Sequence, residues 1–275
     1  MNKKLIALDM DGTLLNSKHQ ITNKTKEVLQ TAIKDGHIVV ISSGRPWRAI
    51  KDYYEDLGCN GPVITLNGMH TFNPCDSSFK ELKYILKKDD VLDIVDRAKG
   101  IITDLCSESE SQTYLMFRKE YLNAYFPYMR PIYGDFKEIL KEDVYTAIFD
   151  CNAKDLGKLE EIANSHYPIK WRKWCGSSYS ELYIDGVNKG SCLKYIQEQL
   201  GIKKEDTIAF GDSVNDLEML NEAGVRYLMS NTNLEIIPED AIITEKDNNN
   251  DGIAIELEKM LPANEISELH FDDIA

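Results

Sequence analysis

The chain has 275 residues, and its 32 Lys and Arg against 46 Asp and Glu give a formal net charge of −14. At 43% hydrophobic and 28% charged, the composition excludes a disordered chain and supplies enough apolar material for a core. The acidic excess excludes nucleic acid or an anionic membrane as a bulk partner, because both recruit clustered Lys and Arg; a small anionic ligand at one locally basic or cation-bearing site stays open.

In chain order, Leu5-Ile6-Ala7-Leu8 is a short apolar strand that runs into Asp9. The stretch from Met1 to Asp9 is too short for a signal-peptide core, and no apolar run reaches the length of a membrane span, so a cytoplasmic location is expected. Thr22 to Asp35 carries helical periodicity through Val28, Leu29 and Ile33, with Thr22 as N-cap and Gly36 as stop. His37 to Ser42 is a β-branched strand. Pro46 begins a helix that runs to Leu57 and stops at Gly58, and Pro62 to Leu66 is a third strand. This β-α-β-α-β rhythm predicts a parallel sheet with right-handed crossovers.

Between Lys83 and Asp185 the texture changes. Helical stretches at Asp90–Lys99 and Asp155–His166 alternate with more polar and aromatic strands, such as Gln112–Phe117, Val144–Cys151 and Ser180–Ile184. Lys170-Trp171-Arg172-Lys173-Trp174 is the basic-aromatic run of this region. Its alternation reads as an edge strand with packed tryptophans, and less readily as a ligand-facing strand. Aromatic residues from Tyr114 to Tyr128 read as core. The α/β rhythm returns with Ser191–Leu200, Thr207–Phe210, Ser213–Ala223, Val225–Met229, Ala241–Thr244 and Gly252–Met260. Asn248 to Gly252 is a turn, and the acidic tail from Pro262 is expected to dock loosely. The expected fold class is α/β, a Rossmann-like parallel-sheet core with helices on both faces. It is split into 1–82 and 188–275 by an inserted α+β unit at 83–187. The 6 cysteines are scattered without paired spacing and read as reduced thiols.

Three strand ends carry chemistry. Asp9-Met10-Asp11-Gly12-Thr13 lies beyond the carboxyl end of the first strand, where open parallel sheets bind ligands. Asp9 and Asp11 project to the same side if the strand persists, although Asp-Gly by itself is an ordinary turn signal. Ser42-Ser43-Gly44-Arg45-Pro46 offers a hydroxyl, a flexible glycine and a helix start; this is either an anion site or a plain capped helix. Gly211-Asp212-Ser213-Val214-Asn215-Asp216 sets three acid or amide side chains past another strand, and capping accounts for one of them but not for the set. Lys189 opens a helix and alone is an ordinary loop lysine.

Together, Asp9-Met10-Asp11-Gly12-Thr13-Leu14-Leu15, Ser43-Gly44-Arg45-Pro46, Asn67-Gly68, Lys189-Gly190 and Gly211 to Asp216 with Glu218-Met219-Leu220 resemble the haloacid dehalogenase superfamily, in its Cof-like branch of small-molecule (sugar) phosphatases. Asp251-Gly252-Ile253-Ala254 looks like that family's closing motif. The resemblance implies that Asp9 is a nucleophile that forms an aspartyl-phosphate and that Asp11 is the general acid and base. It implies Mg²⁺ on the carboxylates of Asp9 and Asp212 and the main-chain carbonyl of Asp11. Ser43 and Lys189 would hold phosphate oxygens, helped by the Gly44 N–H and Asn215, while Asp216 orients Lys189 or the metal waters. The 83–187 unit would be a cap that excludes water and chooses the leaving group. Ser43 stands where the family more often has Thr, and Met229-Ser230-Asn231-Thr232 replaces a Met-Gly-Asn-Ala-like turn, from which Asn231 could approach the phosphate side. The implied function is a Mg²⁺-dependent phosphatase of a small phosphorylated metabolite, foremost a sugar phosphate, working as a monomer or homodimer. A phosphohexomutase and a non-catalytic phosphometabolite-binding protein are the alternatives; a dehalogenase suits Asp11, Lys189 and Asp212 less well.

Overall fold

The computed structural model describes residues 3–116, 131–173, 178–235 and 237–261. The chain begins with β1 (Leu5–Asp9), α1 (Asn23–Lys34), β2 (Ile38–Ser42), α2 (Lys51–Leu57), β3 (Val63–Thr65), β4 (His70–Phe72) and β5 (Leu82–Lys83). It then leaves for α3 (Lys88–Arg97), β6 (Ile102–Glu108), β7 (Thr113–Leu115), β8 (Ile132–Tyr133), α4 (Phe136–Ile139), β9 (Thr146–Cys151), α5 (Leu156–Asn164), β10 (Ile169–Lys173) and β11 (Tyr179–Ile184). It returns through α6 (Lys189–Leu200), β12 (Thr207–Gly211), α7 (Leu217–Asn221), β13 (Val225–Leu228), β14 (Ile242–Ile243) and α8 (Gly252–Met260).

The first and last stretches share one sheet in the order β14-β13-β12-β1-β2-β3-β4-β5. It is parallel from β14 to β3 and antiparallel at β4 and β5. All five residues of β1 are buried because both faces of the sheet are covered. Strand alternation sends Ile6 and Leu8 into a cluster with Leu29 of α1, Leu57 of α2 and Leu257 of α8. Leu5 and Ala7 meet Leu193 and Ile196 of α6 and Leu220 of α7 on the opposite face. By the same alternation Asp9 points toward the start of α6.

The expected caps are present at α1, where Thr22 Oγ1 accepts from Thr25 N at 3.4 Å. Two expected helices start differently. After Pro46 a 3₁₀ turn, Trp47–Ala49, precedes α2. After Ser213 another, Val214–Asp216, precedes the short α7, because the Asp216 carboxylate accepts from the N–H groups of Asp212 at 3.0 Å and Ser213 at 3.1 Å and tightens the chain there. The antiparallel β4–β5 edge was not expected. It follows from a sharp turn in which Leu66, Asn67 and Gly68 all have positive φ, at 52°, 56° and 106°.

The inserted stretch forms a second sheet in the order β10-β11-β9-β6-β7-β8. On one face Leu105, Ala147, Phe149 and Leu182 pack on Val91 of α3 and Leu159 of α5. Register places Arg172, Glu181, Ile148, Cys106 and Leu115 in one row across five strands, and so on the other face. That face meets the core sheet. Arg48, from the 3₁₀ turn before α2, pairs with the fully buried Glu108 and donates to Thr113 Oγ1 at 2.8 Å and to the Ser109 carbonyl at 3.2 Å. Within the basic-aromatic run, Trp171 packs against the helix-side cluster as expected of a packed edge strand. Arg172 instead pairs with Glu181 on the core-facing side. Trp174, the stretch 117–128 and the tail from Pro262 lie outside the described residues.

Candidate active site

The carboxyl ends of β1 and β12 converge on one cluster. Asp9, at the end of β1, is 5% exposed, and the Lys189 Nζ donates to its Oδ1 at 2.6 Å. Lys189 is the first residue of α6 and is fully buried; its Nζ also donates to Asp216 Oδ1 at 2.6 Å. The helix start is fixed by Asn188, whose side chain accepts from Ser191 N at 2.8 Å in a capping box. Gly190 lets α6 approach α7 closely, since a Cβ there would lie 2.4 Å from the Glu218 carbonyl group. Asp216 is fully buried, and both its oxygens are engaged, Oδ1 by Lys189 and Oδ2 by the Asp212 and Ser213 N–H groups.

Asp212 faces Asp9 from the end of β12. Thr13 Oγ1 donates to its Oδ1 at 3.2 Å. Gly12 is required beside it: its φ is 84°, and a Cβ would sit 2.5 Å from Asp212 Oδ2. The loop after β13 closes over this pair. Asn231 Nδ2 donates to the Gly12 carbonyl at 2.7 Å, and Thr232 Oγ1 to the Asp212 carbonyl at 2.6 Å. Asn231 therefore braces the Asp9 loop through its backbone.

Asp11 takes a different direction. Its carboxylate receives Arg45 Nε on Oδ2 at 2.8 Å and Arg45 Nη2 on Oδ1 at 2.6 Å. Ser43 is buried, and its Oγ accepts from Arg45 N at 3.1 Å. Gly44 lies beside Asn67, whose Nδ2 would be 3.2 Å from a Cβ at that position. Asn215 Nδ2 donates to Asn67 Oδ1 at 3.0 Å. The residues singled out in the sequence thus gather at one end of the sheet. Arg45 and Asn67 belonged to the quoted motifs without a role, and the structure links both directly to residues that had one. Glu181, Arg48 and Glu108 carried no local signal; they enter through contacts between the two sheets.

The charges are strongly coupled. Burial, then the Asp216 charge, pushes the Asp9 carboxyl well above the usual carboxylate range, with Lys189 opposing. Burial and Asp216 likewise push Asp212 up to about 6. Burial acts to lower the Lys189 pKa, but Asp216 and Asp9 outweigh it and raise it, so this ammonium stays charged. Oxygens of Asp9, Asp212 and Asp216 lie within 4.8 Å of one another. Three carboxylates against one lysine leave negative charge that a hard cation with oxygen ligands would neutralise, so the donor set fits a divalent metal.

The carboxylate–lysine cluster thus sits beyond the carboxyl ends of the parallel strands, beside a second α/β unit. The haloacid dehalogenase-like hydrolase family matches residues 6–257, and the chain belongs to it. It is a phosphatase of that superfamily. The chain is 32% identical over 256 residues to the 5-amino-6-(5-phospho-D-ribitylamino)uracil phosphatase YitU of Bacillus subtilis, covering 91% of this chain and 94% of that one. It is 28% identical over 257 residues to the B. subtilis phosphatase YcsE of the same description, covering 91% and 93%. Among solved structures, a haloacid dehalogenase-like hydrolase from B. subtilis superposes with a TM-score of 0.76 at 26% identity, over 94% of this chain and 100% of that one. Among the described residues no helix is long and apolar enough to cross a membrane.

Proposed function

We propose that the chain is a Mg²⁺-dependent phosphatase that hydrolyses a sugar or sugar-alcohol phosphate through an aspartyl-phosphate on Asp9. The observation that carries this reading is the Lys189 ammonium held at 2.6 Å from both Asp9 and Asp216, with Asp212 alongside. The two B. subtilis phosphatases act on a phosphorylated ribityl compound, which supports a polyhydroxylated leaving group.

In this reading Asp9 attacks phosphorus, and the ester oxygen leaves with a proton from Asp11. Asp11 then takes a proton from water, whose oxygen attacks the phosphorus of the aspartyl-phosphate and frees inorganic phosphate and Asp9. Ser43, Gly44, Asn215 and Lys189 hold the non-bridging oxygens, and Asp216 keeps Lys189 charged and aimed. The Asp9 and Asp212 carboxylates and the Asp11 carbonyl would hold the cation, which when bound neutralises phosphate and carboxylate charge. Residues 83–187 act as the cap over 1–82 and 188–275, excluding water while the ester is bound.

Phosphate release from a panel of phosphate esters tests this. Turnover should need Mg²⁺ and disappear in Asp9→Asn. Full activity in that variant, or transfer of phosphate to an isomeric sugar phosphate without release, contradicts it.

A further inference from the structure

Glu181 sits where the two sheets meet and is 4% exposed. Asn67 Nδ2 donates to its Oε1 at 3.1 Å and lies 3.4 Å from its Oε2. Arg172, its cross-strand neighbour, closes an ion pair onto Oε1 and places its guanidinium 4.8 Å from the centre of the Tyr183 ring. A carboxylate offers about four acceptor positions. Oε1 is taken by Arg172 and Asn67; among the described residues, Oε2 has only the long approach of Asn67. A buried charge with acceptor capacity left over destabilises the fold unless something else fills it.

Its position says what fills it. Asn67 binds Glu181 with its Nδ2 and Asn215 with its Oδ1, and it lies against Gly44. One side chain therefore separates Glu181 from two residues assigned to the phosphate. In an in-line displacement the leaving oxygen departs opposite the nucleophile. The face that carries Arg172 and Glu181 meets the core at Asn67, on the side where Asn215 and Gly44 lie. Glu181 can only accept and Arg172 can only donate. An acceptor beside a donor matches neighbouring hydroxyl groups and repels a second anionic group near Glu181.

We propose that Glu181, braced by Arg172 and Asn67, is the specificity residue that reads hydroxyl groups near the phosphate ester, so that the preferred leaving group is a neutral polyol. This rests on the phosphatase reading above. The test compares Mg²⁺-dependent phosphate release from ribitol 5-phosphate and n-pentyl phosphate, which share a five-carbon chain with and without hydroxyls. The wild type should prefer ribitol 5-phosphate in kcat/KM. Glu181→Gln should shrink that preference by about 10- to 100-fold, the scale of a lost charged hydrogen bond. Arg172→Gln, on the half-buried edge strand, should shrink it in the same sense and keeps the test open if the first variant does not fold. An unchanged preference in both variants, or an equal loss on both esters, overturns the proposal. Wild-type protein that releases phosphate from neither ester overturns the phosphatase reading itself, and this proposal with it.

Discussion

Arg45 grips Asp11 with two parallel hydrogen bonds, Nε to Oδ2 at 2.8 Å and Nη2 to Oδ1 at 2.6 Å. The guanidinium is itself nearly buried, and its backbone N–H is held by Ser43 Oγ. The residue proposed to handle the leaving-group proton is thus docked on a fixed cation. A bidentate fork is specific to arginine, because lysine is a point charge on a flexible stem. Arg45→Lys is expected to lower kcat by about 10-fold through a mispositioned Asp11, a fraction of the roughly 10²- to 10⁴-fold that a general acid contributes. Mg²⁺ affinity, measured by calorimetry, should stay the same. Wild-type kcat in this variant would show that the grip is incidental.

Lys189 offers a separate test because it is buried between two buried carboxylates. Lys189→Met leaves Asp9 and Asp216 without their cation, which costs about 3–5 kcal/mol near neutral pH. The raised Lys189 pKa means that its stabilisation is fully present below the unfolded value of about 10.4 and is lost only as pH rises beyond it. At pH 7 the full contribution is therefore at stake. Acid should narrow the gap between variant and wild type, since protonating Asp9 removes the charge that lacks a partner. Urea unfolding at pH 7.5 and pH 5 measures this; an equal gap at both pH values would count against a charge-based role.

The fold was largely legible because its signals are local. The apolar run ending in Asp9, the Thr22 cap and the glycine stops at Gly36 and Gly58 each act within a few residues, and the last two adopt φ of 91° and 67°. The helix expected from Ser213 to Ala223 breaks because Asp216 spends its carboxylate on two backbone N–H groups, a choice that no periodicity records. The candidate site was legible as motifs, but not as a network. Asp11 with Arg45, and Asn67 with Glu181, pair across 34 and 114 positions. Only the folded chain shows that Asn67 joins Asn215 on one side and Glu181 of the second sheet on the other. The two-sided reading of Lys170 to Trp174 divides in the same way. Trp171 packs toward the helices and Arg172 toward the core, because alternate strand residues face opposite sides.

The carboxylate cluster also sets a pH dependence. Asp212 is pushed up to about 6, and Asp9 is raised as well, so the folded chain binds protons there more tightly than the unfolded chain. Without metal, stability should fall as pH rises from about 4, the ordinary Asp value, through about 6. A cation requires the deprotonated groups, so its affinity should rise over the same window. Mg²⁺ should therefore raise Tm more at pH 7.5 than at pH 5.0. Thermal melts with and without Mg²⁺ check this, and a shift independent of pH would argue against these carboxylates as the ligands.

The central claim is that Asp9 carries the phosphoryl group. Rapid quenching of Asp11→Ala with ³²P-labelled p-nitrophenyl phosphate, whose leaving oxygen departs without needing a proton, and Mg²⁺, followed by peptide mapping, tests it most directly. The account predicts acid-stable label on the peptide containing Asp9, accumulating because the water-activating carboxylate is gone. Label on another residue, or phosphate release at the wild-type rate with no labelled protein, would contradict it.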